Sequence, residues 1–157
     1  MQRNPVTPEG YEALLKDLRH QKEVVRPGIV RDIEDARAHG DISENSEYED
    51  AKERQAHCEG RIAELENLVA TADIIDVRKV PRNGKVVFGT TVVLENGGDE
   101  PRQWRIVGEN ETNVASGLIS YKSPLARALI GRREGDEVEV PAPGGTRRYE
   151  ISSVRYE

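Results

Sequence analysis

The sequence contains few of the residues that line ligand pockets. Only seven of its 157 residues are aromatic: one Phe, one Trp and five Tyr. This scarcity argues against a large aromatic-lined pocket. The single cysteine, Cys58, excludes an internal disulfide and any metal site with several cysteine ligands. A free thiol is typical of a reducing compartment.

Long apolar runs are also absent. No stretch approaches the ~18 apolar residues of a membrane-spanning helix, and the sequence MQRNPVTPEG lacks the apolar core of a secretory signal. We therefore expect a cytoplasmic protein without membrane contact. With 36% hydrophobic and 33% charged residues, the chain has less core-forming sequence than a compact globule of this length. We expect part of it to be elongated.

Charge is unevenly distributed along the chain. Residues 1–76 hold 10 Lys and Arg against 18 Asp and Glu, whereas residues 77–157 hold 13 against 11. This asymmetry predicts two domains, 1–76 and 77–157, with different roles. The acidic first half is poorly suited to bind DNA alone, because phosphate contacts need clustered positive charge.

The first domain has the periodicity of an antiparallel coiled-coil hairpin. Thr7 is the predicted N-cap, Pro8 suits the first helical position, and Pro27 is expected to bend the first helix. The apolar positions of that helix are Tyr11, Leu15, Leu18, Val25, Ile29, Ile33 and Ala36. The second helix alternates spacings of three and four, as in an a/d seam. Its seam positions are Tyr48, Ala51, Gln55, Cys58, Ile62, Leu65, Val69 and Ala72.

After Asp76 the periodicity changes to that of β-strands. Strands are predicted in segments that are β-branched and bounded by Gly, Pro and Asn, namely 84–96, 103–108, 136–141 and 146–156. Residues 123–131 form one predicted short helix, with Ser123 as N-cap and Pro124 at its first position. The expected fold class is therefore α+β: a helical hairpin followed by a small domain with a mostly antiparallel sheet.

An acidic segment, residues 40–48, joins the two predicted helices. Asp41 and Glu44 are three residues apart, close enough to act on one target. The same spacing also makes a capping box, in which Asp41 accepts a backbone hydrogen bond and Glu44 reaches back. Ser43 is a competing N-cap that would leave both carboxylates facing solvent. The residues alone leave the two interpretations open.

Sequence blocks along nearly the whole chain resemble the GreA/GreB family of bacterial transcript-cleavage factors. The first half carries HGDISENSEY (39–48), Ala51-Lys52 and the run 58–62. The second half carries matching blocks at 83–86, 105–108, 123–127, 129–131 and 143–145. The blocks keep the order of the family, and their closeness favours its GreA branch.

The resemblance implies a factor that binds RNA polymerase and stimulates the polymerase's own cleavage of the nascent transcript 3′ end, rescuing backtracked or arrested complexes. Asp41 and Glu44 match the family's acid pair, which helps hold a weakly bound Mg²⁺ of the polymerase. Arg37 and Lys52 correspond to a basic patch that contacts the displaced RNA. The factor would have no cofactor of its own and would cleave nothing alone.

The resemblance also implies that the second domain is FKBP-like and docks on the rim of the polymerase secondary channel, with Ser123 and Pro124 as candidate contacts. Solvated charge is the alternative role for Arg37 and Lys52, and helix capping is the alternative for Ser123. We expect a monomer. Other open functions are a Gre-like channel inhibitor, a coiled-coil adaptor with a merely capped acidic turn, and a peptidyl-prolyl isomerase. The shortage of aromatic residues disfavours the last.

Overall fold

The computed structural model describes residues 3–38 and 46–157. Its contacts divide the chain into two compact units. The first unit contains residues 11–72, and the second contains residues 3–10 together with 73–157. The predicted α+β architecture, a helical hairpin and a sheet domain, is confirmed. Residues 3–10, which the periodicity placed with the hairpin, group with the second unit.

The first unit is formed by two antiparallel helical arms. The first arm runs through α1 (Pro8–His20), a π-helical segment (Gln21–Val25) and α2 (Arg26–Ala38), and the second arm is α3 (Ser46–Ala70). As residue numbers rise along the first arm, those of its ion-pair partners on α3 fall. These pairs are Asp17–Arg61 at 2.8 Å, Arg26–Glu59 at 2.7 Å and Asp32–Arg54 at 3.0 Å.

Buried side chains between the arms follow the predicted seam. The apolar cluster comprises Ile29, Ile33, Ala51, Cys58 and Ile62, with Leu18, Val25 and Tyr48 packed against it. On α1 the buried leucine is Leu14, whereas the predicted Leu15 is half-buried. Positions 14 and 15 are four and three residues before Leu18, and at 3.6 residues per turn both lie close to the apolar face that contains Leu18.

The first arm changes helix type directly before Pro27. Proline has no backbone N–H, and in a regular α-helix its ring would collide with the carbonyl four residues earlier. Here the Arg26 N–H donates to the Gln21 carbonyl five residues back, which is the π pattern. Directly before Pro27, where the sequence predicted a bend, the structure has this π-helical segment.

The strands form two sheets. A small one pairs β1 (Asn4–Val6) with β2 (Ala72–Ile74). The larger has the order β5-β4-β3-β7-β6 and contains β3 (Thr91–Glu95), β4 (Arg102–Val107), β5 (Leu118–Ser120), β6 (Glu137–Ala142) and β7 (Gly145–Arg155). Its strands pair antiparallel except β4 and β5, which are parallel, so the mostly antiparallel sheet is confirmed. Helix α4 (Pro124–Leu129) buries Ala126 and Leu129 in the sheet core.

The strand predicted over residues 84–96 is shorter in the structure, because β3 begins only at Thr91. Gly89 has a φ of 91°, in the left-handed region that extended strands do not use. A Cβ at this position would also lie 2.9 Å from the Val77 Cβ. The unpredicted strands β1, β2 and β5 have three residues each, too few to show a two-residue alternation.

The Glu111 carboxylate holds the N-terminal segment against the sheet domain. It accepts hydrogen bonds from the Thr7 N–H at 3.1 Å, from the Thr7 hydroxyl and from the Gly108 N–H at 2.9 Å. The Thr7 hydroxyl oxygen accepts from the Gly10 N–H at 3.0 Å, so Thr7 is the N-cap of α1 as predicted. A side chain at Gly10 would collide with Glu111, which explains the glycine there.

We expect Glu111→Ala to destabilise the second unit by about 1–3 kcal/mol, because Thr7 would lose its acceptors while buried. Thr7 is only 1% exposed. Urea unfolding followed by Trp104 fluorescence measures this, since the single tryptophan lies on β4. Glu109→Ala is the matched control: it removes only an exposed ion pair with Lys122 at 3.4 Å and should cost less than about 1 kcal/mol. Equal unfolding midpoints for wild type and Glu111→Ala would contradict this role.

Candidate functional site

The acid pair predicted from the sequence lies outside the described residues. Asp41 and Glu44 fall between the end of α2 at Ala38 and the start of α3 at Ser46. The capping box predicted as the alternative role of the same two residues lies outside the described residues as well. The described residues on either side do establish how the two helix ends are placed.

The ends of α2 and α3 that flank residues 39–45 are in contact. Arg37, in the last turn of α2, has its Cζ atom 6.0 Å from the centroid of the Tyr48 ring, in the first turn of α3. This distance is at the outer limit of a cation–π interaction. Tyr48 also packs against the apolar cluster of the seam. The seam and this contact together hold the end of α2 close to the start of α3.

Lys52 lies one turn beyond Tyr48 on α3. Residues four apart share a helix face, so Lys52 and Tyr48 lie on the same side of α3. Lys52 is exposed, and its Nζ donates to the Gln55 side-chain oxygen at 2.9 Å. Within residues 3–38 and 46–157, neither Lys52 nor Arg37 forms an ion pair with a carboxylate. Both predicted basic residues are thus placed beside the acidic segment.

Two other arginines of the hairpin, Arg26 and Arg54, are paired with carboxylates. Arg54 donates to Asp32 at 3.0 Å and to Asp50 at 3.1 Å, and these hydrogen bonds, Asp32 first, raise the pKa of Arg54. Arg26 donates twice to Glu59, at 2.9 and 2.7 Å, which raises the pKa of Arg26. The positive charge left for a ligand near residues 39–45 is therefore that of Arg37 and Lys52.

The contact between Arg37 and Tyr48 was not foreseen from the sequence. The spacing pattern assigned Tyr48 to the seam, and the structure shows that its ring serves the seam and Arg37 together. The signal available in the sequence is positional. An arginine two residues before the acidic motif and a tyrosine at its end must approach each other when the two helices pack antiparallel.

Ser123 and Pro124 cap the start of α4, as the alternative interpretation predicted. The Ser123 Oγ accepts from the Ala126 N–H at 3.2 Å, and Pro124 is the first helical residue. Pro124 is exposed and Ser123 is half-buried. Next to them, the Lys122 Nζ lies 5.8 Å from the Tyr121 ring centroid and 3.4 Å from Glu109. The capping role leaves the exposed face of Pro124 available for a partner.

The described part of the chain offers no alternative metal centre. Apart from residues 1–2 and 39–45, no group of three or more His, Cys, Asp and Glu side chains is arranged to hold a metal ion. Cys58 is buried in the seam, with its Sγ 3.9 Å from the Gln21 carbonyl oxygen. No described helix is both long and apolar enough to cross a bilayer.

Curated relatives match this chain over nearly its whole length. The chain is 50% identical over 157 residues to the transcription elongation factor GreA of Ruegeria pomeroyi, covering 99% of both proteins. It is 51% identical over 157 residues to GreA of Methylococcus capsulatus, again covering 99% of both. It is 54% identical over 158 residues to GreA of Anaeromyxobacter sp. strain K, covering 99% of this chain and 94% of the relative.

Solved structures align with lower similarity. GreA factor homolog 1 (Gfh1) of Thermus thermophilus is 27% identical with a TM-score of 0.44, covering 98% of this chain and 99% of that one. A GreA/GreB elongation factor from Nitrosomonas europaea is 22% identical with a TM-score of 0.44, covering 99% and 100%.

Two family models divide the chain between them. The model described as "Transcription elongation factor, N-terminal" matches residues 4–74, and the model described as "Transcription elongation factor, GreA/GreB, C-term" matches residues 81–156. With both halves matched and about 50% identity extending over the full chain, the protein belongs to the GreA/GreB family of transcription elongation factors.

Proposed function

We propose that this protein binds RNA polymerase and stimulates the polymerase's own cleavage of the nascent transcript 3′ end, which rescues backtracked or arrested complexes. The second unit anchors the factor on the rim of the secondary channel, through Pro124 and the neighbouring Ser123. The hairpin enters the channel and presents Asp41 and Glu44. The observation that supports this most is the Arg37–Tyr48 contact, because it joins the two helix ends that flank the acid pair.

The donor chemistry of Asp41 and Glu44 fits a magnesium ion shared with the polymerase. Carboxylate oxygens are the hard ligands that Mg²⁺ prefers, and Mg²⁺ commonly keeps only one or two protein carboxylates among its ligands. When bound, the ion stabilises the attacking and leaving oxygens of a phosphodiester displacement. The role of this chain is to supply the two carboxylates at a fixed position. The factor is an accessory protein and not itself a catalyst.

Arg37 and Lys52 complete the proposed site. Guanidinium and ammonium groups donate charge-assisted hydrogen bonds to phosphate oxygens. Since neither residue is paired with a described carboxylate, both can contact the displaced RNA 3′ end without first breaking an ion pair. The cation–π contact with Tyr48 limits the directions that the Arg37 side chain can take. We propose that the factor acts as a monomer in the cytoplasm, where the polymerase works.

Asp41→Asn and Glu44→Gln are each expected to reduce stimulated cleavage in a backtracked elongation complex by about 100-fold or more, because a lost metal ligand removes several kcal/mol of transition-state stabilisation. Polymerase binding and the melting temperature should stay close to wild type. Glu53→Gln is the matched control, an exposed α3 carboxylate without a partner in the described residues, and should cleave normally. Capping alone predicts normal cleavage and a normal melting temperature for both variants, because Asn and Gln keep the capping hydrogen bonds. Under that interpretation only Asp41→Ala or Glu44→Ala would lower the melting temperature, with cleavage retained.

If both acid-pair variants cleave at the wild-type rate, the metal-ligand role is wrong. Polymerase binding without any stimulation by the wild-type protein would favour a channel inhibitor. Failure to bind polymerase would leave the coiled-coil adaptor as the remaining interpretation.

Purified protein with Mg²⁺ and without polymerase should leave RNA intact, because two carboxylates provide no nucleophile and no complete metal site. The measurement is gel analysis of end-labelled RNA, incubated with the protein at the concentration that saturates the polymerase assay. Inactive polymerase plus factor is the control for contaminating nucleases. Metal-dependent RNA cleavage that copurifies with the factor and disappears in Asp41→Asn would sink the accessory-factor proposal.

Arg37→Ala and Lys52→Ala should each raise the factor concentration needed for half-maximal cleavage by about 10-fold or more, since one charge-assisted contact to phosphate contributes about 1.5–3 kcal/mol. Arg31→Ala is the matched control, an exposed arginine on the same helix without a described partner. A titration of factor against a backtracked complex measures the difference. If Arg31→Ala shifts the curve as far as Arg37→Ala does, the effect comes from general charge and not from local contact.

A further inference from the structure

An open cleft of about 480 Å³ lies in the second unit, away from the residues assigned above. Its walls come from the segment that follows β2 and from the C-terminal end of β7. Three arginines contribute to the lining. The lining residues used below are Arg78, Arg82, Gly84, Glu134, Arg155 and Tyr156.

The carboxylates around this cleft are committed to partners. Asp76 accepts from the Arg78 guanidinium at 2.9 and 3.0 Å, and these hydrogen bonds lower the pKa of Asp76. Glu134 accepts a hydrogen bond from the Val154 N–H at 2.8 Å. Val154 lies beyond the part of β7 that pairs with β6. The Glu157 carboxylate lies 3.1 Å from the Arg155 Nε. None of these acids is paired with Arg82: Asp76 pairs with Arg78, Glu157 lies beside Arg155, and Glu134 is bound to a backbone N–H.

Arg82 and the neighbouring Lys85 carry positive charge that the described residues do not compensate. Both side chains are exposed and have no hydrogen-bond or ion-pair partner within residues 3–38 and 46–157. Lys85 also stands opposite Arg133 in an isolated antiparallel bridge, and like charges in directly opposed positions repel each other. The Arg133 guanidinium makes only a long contact, 3.4 Å, to the Asn83 carbonyl. An anion would relieve this repulsion.

We propose that this surface, the Arg82 cleft, binds the phosphate backbone of a single-stranded nucleic acid. Arginine presents several donors in a planar fork that matches phosphate oxygens. The cleft is large enough for nucleotide-sized groups and too small for a duplex. The Tyr156 ring is 7% exposed and its hydroxyl donates to the Lys85 carbonyl, so it offers no face for base stacking. Recognition therefore runs through phosphates and is independent of sequence.

This inference does not rest on transcript cleavage, because it uses no residue of the hairpin. Its test is fluorescence anisotropy with the full chain and labelled 20-nucleotide oligo(U) or oligo(dT), from 25 to 200 mM salt. The variant is Arg82→Ala/Lys85→Ala. The matched control is Arg127→Ala/Arg147→Ala, which removes two exposed cations of the same unit that also lack side-chain partners among the described residues.

In the Arg82→Ala/Lys85→Ala variant, the loss of two phosphate contacts should reduce the slope of log K, the binding constant, against log salt concentration by about 1.4. It should also weaken binding at 50 mM salt by at least about 10-fold. The control has the same net charge as the variant and should stay within about 3-fold of wild type, because its charges lie elsewhere on the unit. Oligo(U) and oligo(dT) should bind alike, since both present the same phosphates. Circular dichroism checks that the variants fold, and the single Arg82→Ala variant should show half the slope change.

Three results would overturn the proposal. The first is no measurable binding of either oligonucleotide by the wild-type protein at 25 mM salt. The second is an equal loss of affinity in the control variant, which would mean general attraction without a site. The third is displacement of oligo(U) by a 20-residue oligoglutamate as efficiently as by oligo(dT), which would assign the cleft to an acidic protein segment.

Discussion

The apolar seam between the helical arms is the interaction that sets where α2 ends and α3 begins. Helix α2 has 13 residues, a length at which an isolated helix is marginal in water, and α3 has 25. They are stable because each buries a stripe of side chains against the other. Near the helix ends the stripe includes two small residues, Ala36 and Ala51, which are 2% and 0% exposed, and Tyr48 packs against it. Arg37 lies beside the ring of that tyrosine.

Charge along the hairpin follows from the same packing. Residues that flank the seam meet across it, and arginines such as Arg26 and Arg54 find carboxylates there. Exposed pairs of this kind contribute little stability individually. Their consequence is electrostatic: they pair Lys22, Arg26, Arg54 and Arg61 with carboxylates and leave Arg37 and Lys52, near the helix ends, without an ion-pair partner among the described residues.

In the second unit, the half-buried carboxylate of Glu111 joins chain segments, as apolar packing does in the hairpin. Glu111 satisfies the Thr7 and Gly108 donors of two chain segments that are about one hundred residues apart. A hydroxyl as buried as that of Thr7 would be costly without an acceptor. The same contact places the N-cap of α1, so the start of the first helix is set by a residue of the sheet domain. The strand β1, directly before it, pairs with β2 where the chain leaves α3.

Sequence and structure agree best where a pattern is long. The regular spacing of α3 placed Ala51, Cys58, Ile62 and Leu65 correctly in the seam, because burial against a partner helix repeats over many turns. Short elements were predicted less accurately. The strand expected from residue 84 begins at Thr91, since Gly89 adopts a conformation that no alternation of residue types reveals. Three-residue strands such as β5 leave no periodic trace at all.

By itself, the sequence determined the fold class, the two helical arms and the identity of the acidic motif, because these depend on local periodicity and on contiguous residues. Tertiary structure alone decided the contacts that join distant positions. Examples are Glu111 with Thr7, Arg37 with the Tyr48 ring, and the exposed charge of Arg82 above a cleft whose acids have other partners. The physical reason is that the sequence does not show which residue a charged side chain will pair with. Only the packing of the backbone decides whether a carboxylate comes within hydrogen-bond distance of it.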